Sequence, residues 1–131
     1  MDIRDFRIGD IVQTQAEKHS NILYVVCGMH DGYVSIYELR GNENQTTELK
    51  FDYICPVPIT DDILLQFGAT YNALTDEYKI AINNESTICI KRQGKQYIAS
   101  YLNKYRPPFA KMCYLHELQH FVWDTSRQDL F

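Results

Sequence analysis

The chain has no apolar run that approaches the ~20 residues a helix needs to cross a bilayer. Its first residues, Met1 to Arg7, lack the apolar core of a secretory signal peptide. The four cysteines form no C-x-x-C pair and have no zinc-finger spacing, so reduced, buried thiols are expected. These absences predict a cytoplasmic protein with no membrane partner.

The chain also lacks an excess of basic charge. Its formal net charge is −4, which gives no global attraction to nucleic acid or to an anionic membrane. The apolar fraction of 45% and the charged fraction of 23% are ordinary for a globular protein and exclude wholesale disorder. At 131 residues, one compact domain spanning residues 1–131 is expected.

The first 58 residues show four or five short strand patterns separated by turn signals. The strongest pattern is 21–27, which is rich in β-branched and aromatic residues, and Asp31-Gly32 is a hairpin signal after it. Short strands at this spacing predict a small SH3-like barrel or a strongly bent sheet in residues 1–58.

The remaining residues, 59–131, begin with helix signals. Thr60 is a good N-cap and Gly68 is placed to end the helix at C′. Strand patterns follow as a β-meander, with a candidate edge strand at 109–112, and an amphipathic helix is predicted from about Cys113 to Asp124. The expected fold class is therefore α+β.

Near the C-terminus stands an H-E-x-x-H pattern formed by His116, Glu117 and His120. On a helix, this spacing places two imidazoles one turn apart, with a carboxylate that could serve as general base. Catalytic zinc needs a third protein ligand, and no Glu follows Glu117 in the chain. A zinc hydrolase with His116 and His120 as ligands is therefore an alternative, and the favoured prediction is no metal and no cofactor.

A helical wheel places these histidines differently from the apolar residues of the same helix. His116, His120 and Trp123 fall opposite the stripe that would pack on the core. This arrangement predicts a solvated patch of His116, His120 and Trp123 that contacts a protein partner.

A second candidate surface is the segment 91–111, which contains six basic residues and no acid. Tyrosines interleave with the bases, and stacked rings with phosphate-binding cations are typical of single-strand nucleic-acid surfaces. This alternative assigns nucleic-acid binding to Lys91, Arg92, Lys95, Tyr97, Tyr101 and Arg106.

Several segments together resemble a known group of proteins. The segments are 7–12 (RIGDIV), then 31–33 (DGY), then 56–68 (PVPITDDILLQFG), then 114–121 (YLHELQHF). They resemble short proteins of gut Bacteroidetes and their phages and prophages, with patterns P-I-P-L-T-E-E-x-L-L-x-F-G-F and Y-V-H-x-L-Q-N-L-Y-F-A-L-T-G. The pattern has Asn at the position of His120, a variable residue at Glu117 and Gly at Arg127. The resemblance therefore implies a phage or mobile-element setting, with no zinc motif and no established activity.

No carboxylate pair, phosphate loop or nucleophile motif stands out in the chain. The sequence therefore predicts a non-enzymatic interaction module that binds a protein partner. Neither the partner's identity nor the oligomeric state follows from the sequence.

Overall fold

In the computed structural model, the described residues are 5–18, 20–83, 86–101, 109–126 and 130. The chain divides into two compact units, Met1–Val57 and Pro58–Phe131. The predicted internal boundary at residue 58 lies one residue from this division. The expectation of a single domain stays a prediction.

The N-terminal unit is a five-stranded antiparallel sheet. Its strands lie in the order β4-β3-β2-β1-β5, so the first strand pairs with both the second and the fifth. The strands are β1 (Ile11–Thr14), β2 (Tyr24–His30), β3 (Tyr33–Glu38), β4 (Thr47–Lys50) and β5 (Ile54–Pro56). A 3-10 helix, Phe51–Tyr53, leads directly into β5.

Local signals explain the tight connections of this unit. Asp31 and Gly32 both have positive φ, which is the backbone of the two-residue hairpin turn that favours these residue types. The core cluster contains one aromatic ring and five aliphatic side chains: Phe6, Val12, Val26, Val34, Ile36 and Ile54. These residues alternate with more exposed ones along β3, as expected for a sheet with one packed face.

The C-terminal unit is a second five-stranded antiparallel sheet with two helices. Its strands follow chain order as a meander, β10-β9-β8-β7-β6. The strands are β6 (Thr70–Asn72), β7 (Glu77–Ala81), β8 (Thr87–Gln93), β9 (Gln96–Tyr101) and β10 (Phe109–Met112). The helices are α1 (Asp61–Gln66) before the sheet and α2 (Leu115–Ser126) after it.

The short helix α1 is bounded by the residues that the sequence indicated. The Thr60 hydroxyl accepts a hydrogen bond from the Ile63 amide at 3.1 Å. At the other end, Gly68 has φ +95° and its amide donates to Leu65, while the Ala69 amide donates to Leu64. This pair of hydrogen bonds is a Schellman cap, which glycine permits without steric cost. The predicted N-cap and C′ positions are confirmed.

One face of the second sheet is buried. Strand register places the following residues on it, and all are buried: Tyr78, Ile80, Ile88, Ile90, Tyr97, Ala99, Tyr101 and Met112. The start of α1 is joined to the start of α2 by a hydrogen bond from the Ile59 amide to the Cys113 carbonyl, 2.9 Å long. This bond holds the two helix starts side by side at the same end of the unit.

The structure is mostly β, with two antiparallel sheets and a C-terminal helix, and so supports the coarse α+β prediction. No sheet closes on itself within the described residues, so a closed SH3-like barrel is not confirmed. The edge strand expected at 109–112 is present as β10. The short strands β5 and β6 were missed, because three residues carry too little alternation to be recognised.

Candidate functional site

The two histidines of α2 are buried rather than solvated. His116 is 2% exposed and His120 is 7% exposed. Their rings meet edge to face with centroids 5.5 Å apart, and the His116 ring stacks on that of Tyr114. The predicted exposed patch of His116, His120 and Trp123 is therefore wrong, because α2 is covered on this flank as well as along its apolar stripe. Only Trp123 remains at the surface, 40% exposed.

Glu117, between the histidines, has a local role at the start of the helix. Its Oε1 accepts hydrogen bonds from the backbone amides of Cys113 at 3.2 Å and Tyr114 at 3.1 Å. A glutamate at the third helical position that binds the N-cap amide is the second half of a capping box. This carboxylate oxygen thus satisfies amides that α2 itself leaves without a partner.

We expect Glu117→Ala to lower the free energy of unfolding by about 1 kcal/mol, the usual cost of losing a helix cap. Glu117→Gln keeps an acceptor oxygen and should lose less than half of that. Urea denaturation of the three proteins measures the difference. Unchanged stability in Glu117→Ala would contradict the capping role and reopen the role of general base.

The zinc alternative also needs a third ligand. Within the described ranges, no group of three His, Cys, Asp or Glu side chains converges as a metal site would require. His30 lies on the other unit's strand β2 with its Nε2 3.4 Å from Glu48, and His19 lies outside the described residues.

In the described part of the basic segment, residues 91–101 and 109–111, the first two bases lie on different faces of the second sheet. Arg92 stands opposite Tyr97, and Lys91 stands opposite Ile98. Because neighbouring residues of a strand point to opposite faces, Lys91 and Arg92 are separated by the sheet. Tyr97 and Tyr101 are buried and offer no ring to a nucleic-acid base.

The hydroxyls of these two tyrosines are also engaged. Tyr101 shares a 2.5 Å hydrogen bond with Thr125 of α2, and Tyr97 is bound to Asp61 of α1. The stacking interpretation for them is therefore wrong. Lys95 is exposed at the β8–β9 turn, and Arg106 lies outside the described residues.

The structure instead contains an open depression of about 550 Å³ where α1 meets the β8–β9 hairpin. Its lining residues are Ile59, Thr60, Asp61, Asp62, Arg92, Gly94, Lys95 and Tyr97. At its floor, the Tyr97 hydroxyl donates to Asp61 Oδ1 at 2.8 Å. Asp61 Oδ2 lies 3.4 Å from Arg92 Nη1, in a pair whose side chains are both about half exposed. The depression therefore has a carboxylate wall on α1 and a cationic wall on the hairpin.

The electrostatics of this floor follow from burial and the Asp61 charge. Burial first, and then the hydrogen bond to Asp61, raise the pKa of Tyr97 to about 12. Burial and the nearby Asp61 carboxylate also raise the pKa of Tyr78. Contact with Tyr97 and then with Asp61 raises the pKa of Arg92. All three groups hold their protons at neutral pH, so the floor is a set of fixed hydrogen-bond donors around one carboxylate.

The β6–β7 hairpin continues this surface. Tyr71 stands opposite Tyr78 with ring centroids 4.9 Å apart, and its hydroxyl donates to Asp76 Oδ1 at 2.6 Å. The turn beyond them carries Leu74, which is 97% exposed. The Leu74 amide is held by Asn72 Oδ1 at 3.0 Å, so an ordered turn presents an uncovered apolar side chain.

Sequence reasoning missed both the depression and the hairpin tip. The partners of the depression are 31 and 36 residues apart, and no local pattern joins Asp61 to Arg92 or Tyr97. The split of the basic segment did carry a signal. Alternation separates Lys91 from Arg92 and places Tyr97 and Tyr101 on one face, and a two-residue turn at Gly94 and Lys95 sets Tyr97 opposite Arg92. Leu74 stood between turn residues, where an apolar side chain has nothing local to cover it.

No family model matches the chain, and neither a curated protein nor a solved structure is significantly similar to it. None of the helices in the described part of the chain combines the length and apolarity needed to cross a bilayer.

Proposed function

We propose that this protein is a non-enzymatic interaction module that binds a protein partner through the tip of its β6–β7 hairpin. The single observation that carries the proposal is Leu74, an apolar side chain 97% exposed at the end of an ordered turn. Tyr71, 48% exposed, adds an aromatic surface beside it. Tyrosine is among the residues that contribute most when a partner buries them, and the projecting leucine beside it adds apolar area to the contact.

The order of the hairpin supports this role. The Asn72 side chain holds the turn from within, and the Tyr71–Asp76 hydrogen bond joins its two strands. A binding element that is already ordered loses little conformational entropy on association. Asp76 and Glu77 place negative charge beside Leu74, so the complementary pocket is apolar with a basic or neutral rim.

The nucleic-acid alternative has weaker support. The C-terminal unit carries eight acidic and eight basic residues, so it produces no net field that would concentrate phosphates. The two tyrosines that would stack on bases are buried. A protein pocket needs neither feature, which is why the protein-binding proposal is preferred.

The proposal extends to the N-terminal unit and to the setting of the protein. Strand order β4-β3-β2-β1-β5, with a 3-10 helix immediately before β5, supports an SH3-like arrangement for this unit. The resemblance to proteins of Bacteroidetes and their phages supports a mobile-element origin and action in the cytoplasm of the bacterial host.

The test compares wild type, Leu74→Ser and Leu65→Ser. Leu65 is a matched control, because it is an exposed leucine of the same unit but lies on α1. Proteins that the wild type retains from a host lysate are identified, purified, and titrated against all three chains by calorimetry. We expect Leu74→Ser to weaken the dissociation constant at least tenfold, about 1.4 kcal/mol, and Leu65→Ser to leave it unchanged.

Both variants should unfold like the wild type, since surface substitutions usually change stability by no more than about 0.5 kcal/mol. A purified partner that binds Leu74→Ser as tightly as wild type would refute the hairpin tip as the contact. Retention of no protein that depends on Leu74 would refute it as well.

A further inference from the structure

The cationic wall of the depression can donate more hydrogen bonds than the one that Arg92 forms with Asp61. The Arg92 guanidinium carries five N–H donors, and its contact with Asp61 uses Nη1. At 3.4 Å, with both side chains about half exposed, this ion pair contributes little to stability. Lys95 stands at the rim of the same depression, on the turn that Gly94 permits through its positive φ. Two cations thus border a cavity that is open to solvent.

Arg92 is not the only group that stabilises the Asp61 carboxylate. Its Oδ1 accepts from the buried Tyr97 hydroxyl at 2.8 Å, and the Tyr78 ring is close enough for the carboxylate to influence the phenol. If Arg92 turned toward another anion, Asp61 would keep its hydrogen bond from Tyr97. Replacing the Asp61 contact by an incoming carboxylate therefore leaves no buried charge uncompensated.

The depression and the hairpin tip lie on one sheet face at one end of the strands. Register places Tyr71 opposite Tyr78, while Arg92, two residues beyond the partner of Tyr78, stands opposite Tyr97. Adjacent strands are about 5 Å apart, so β6 and β8 are about 10 Å apart, and the offset of two residues adds about 7 Å along the strands. Tyr71 and Arg92 are therefore separated by roughly 12 Å. An extended peptide rises about 3.3 Å per residue, so four residues cover that separation, and side chains four residues apart point to the same side.

We propose that the partner places an acidic side chain in the depression, bound by Arg92 and Lys95, four residues from an apolar side chain that packs on Tyr71. This inference rests on the proposed function and names the chemistry of the partner segment. Arg92 suits a carboxylate because its planar donors match the two oxygens. Asp62, on the opposite wall, repels the incoming acid and limits its affinity.

The test uses the isotope-labelled full chain and the peptide acetyl-Leu-Ser-Ser-Ser-Glu-amide, with its Gln counterpart as control. Binding is followed by NMR at the backbone amides of Gly94 and Lys95 and at the Arg92 side-chain Nε–H. We expect saturable shifts at these groups with the Glu peptide and at least fivefold weaker binding of the Gln peptide.

Substitutions then assign the contacts. Arg92→Gln and Lys95→Gln should each weaken the Glu peptide at least threefold, and Asp62→Asn should tighten it about threefold by removing the repulsion. Lys91→Gln is the matched control, because Lys91 carries the same charge on the opposite face of the sheet, and it should have no effect.

Equal binding of the Glu and Gln peptides would overturn the inference. Acetate or inorganic phosphate that shifts the same groups as tightly as the peptide would overturn it too, because the site would then hold any adventitious anion. Shifts confined to Tyr71 and Leu74 would refute the acidic contact and leave the hairpin proposal standing. Shifts at Gly94 and Lys95 without any Leu74-dependent partner would instead refute the hairpin proposal.

Discussion

Replacing Leu64 by alanine should lower the free energy of unfolding by about 2–5 kcal/mol. Leu64 lies in α1 and is 1% exposed, so truncation removes apolar burial and leaves a cavity. Its carbonyl also accepts the Ala69 amide in the Schellman cap, which the substitution keeps. The loss therefore reports side-chain packing alone. Urea denaturation of wild type and Leu64→Ala at neutral pH measures it as a difference in the free energy of unfolding.

The next residue, Leu65, provides the control within one helical turn. It is 49% exposed, and alanine is the better helix former, so Leu65→Ala should change stability by less than about 0.5 kcal/mol. The same chemical substitution at adjacent positions thus separates burial from helix propensity. Similar losses at both positions would contradict the placement of α1 against the second sheet.

A second large effect is expected at alkaline pH. The pKa of Tyr97 is raised from its ordinary value of 10.0 to about 12 by burial and by its hydrogen bond to Asp61. Between these values the unfolded chain releases the proton while the folded chain keeps it, so stability falls as pH rises from 10 to 12. A shift of two units corresponds to about 2–3 kcal/mol lost by pH 12 and fully present below pH 10.

Tyr97→Phe removes this titration. The variant should be less stable than wild type at pH 8, because Asp61 loses a hydrogen bond, but it should lose less stability between pH 10 and 12. For each protein, the free energy of unfolding at alkaline pH is compared with its own value at pH 8. Tyr24 of the N-terminal unit, whose pKa is also raised to about 12 by burial and by Glu17, should add a decrease over the same pH range in both proteins. Parallel alkaline profiles for wild type and Tyr97→Phe would contradict the assignment.

Signals confined to a few neighbouring residues were read correctly from the sequence. Thr60 and Gly68 bound α1 because a hydroxyl N-cap and a positive-φ residue satisfy backbone groups within one turn. The Asp31-Gly32 hairpin formed for the same kind of local reason. By contrast, the capping role of Glu117 was hidden by a pattern that looks like a zinc motif, although the same residue satisfies the start of α2.

The sequence by itself determined the longer strands, the caps of α1, the Asp31-Gly32 turn and the α+β composition, because these depend on propensity and hydrogen bonds over a few residues. Only the tertiary structure decided which polar side chains are buried. It covered the His116–His120 flank, joined Asp61 to Tyr97 across 36 residues, and left Leu74 uncovered. Burial depends on what packs against a side chain from distant parts of the chain, and periodicity within one element cannot specify that neighbour.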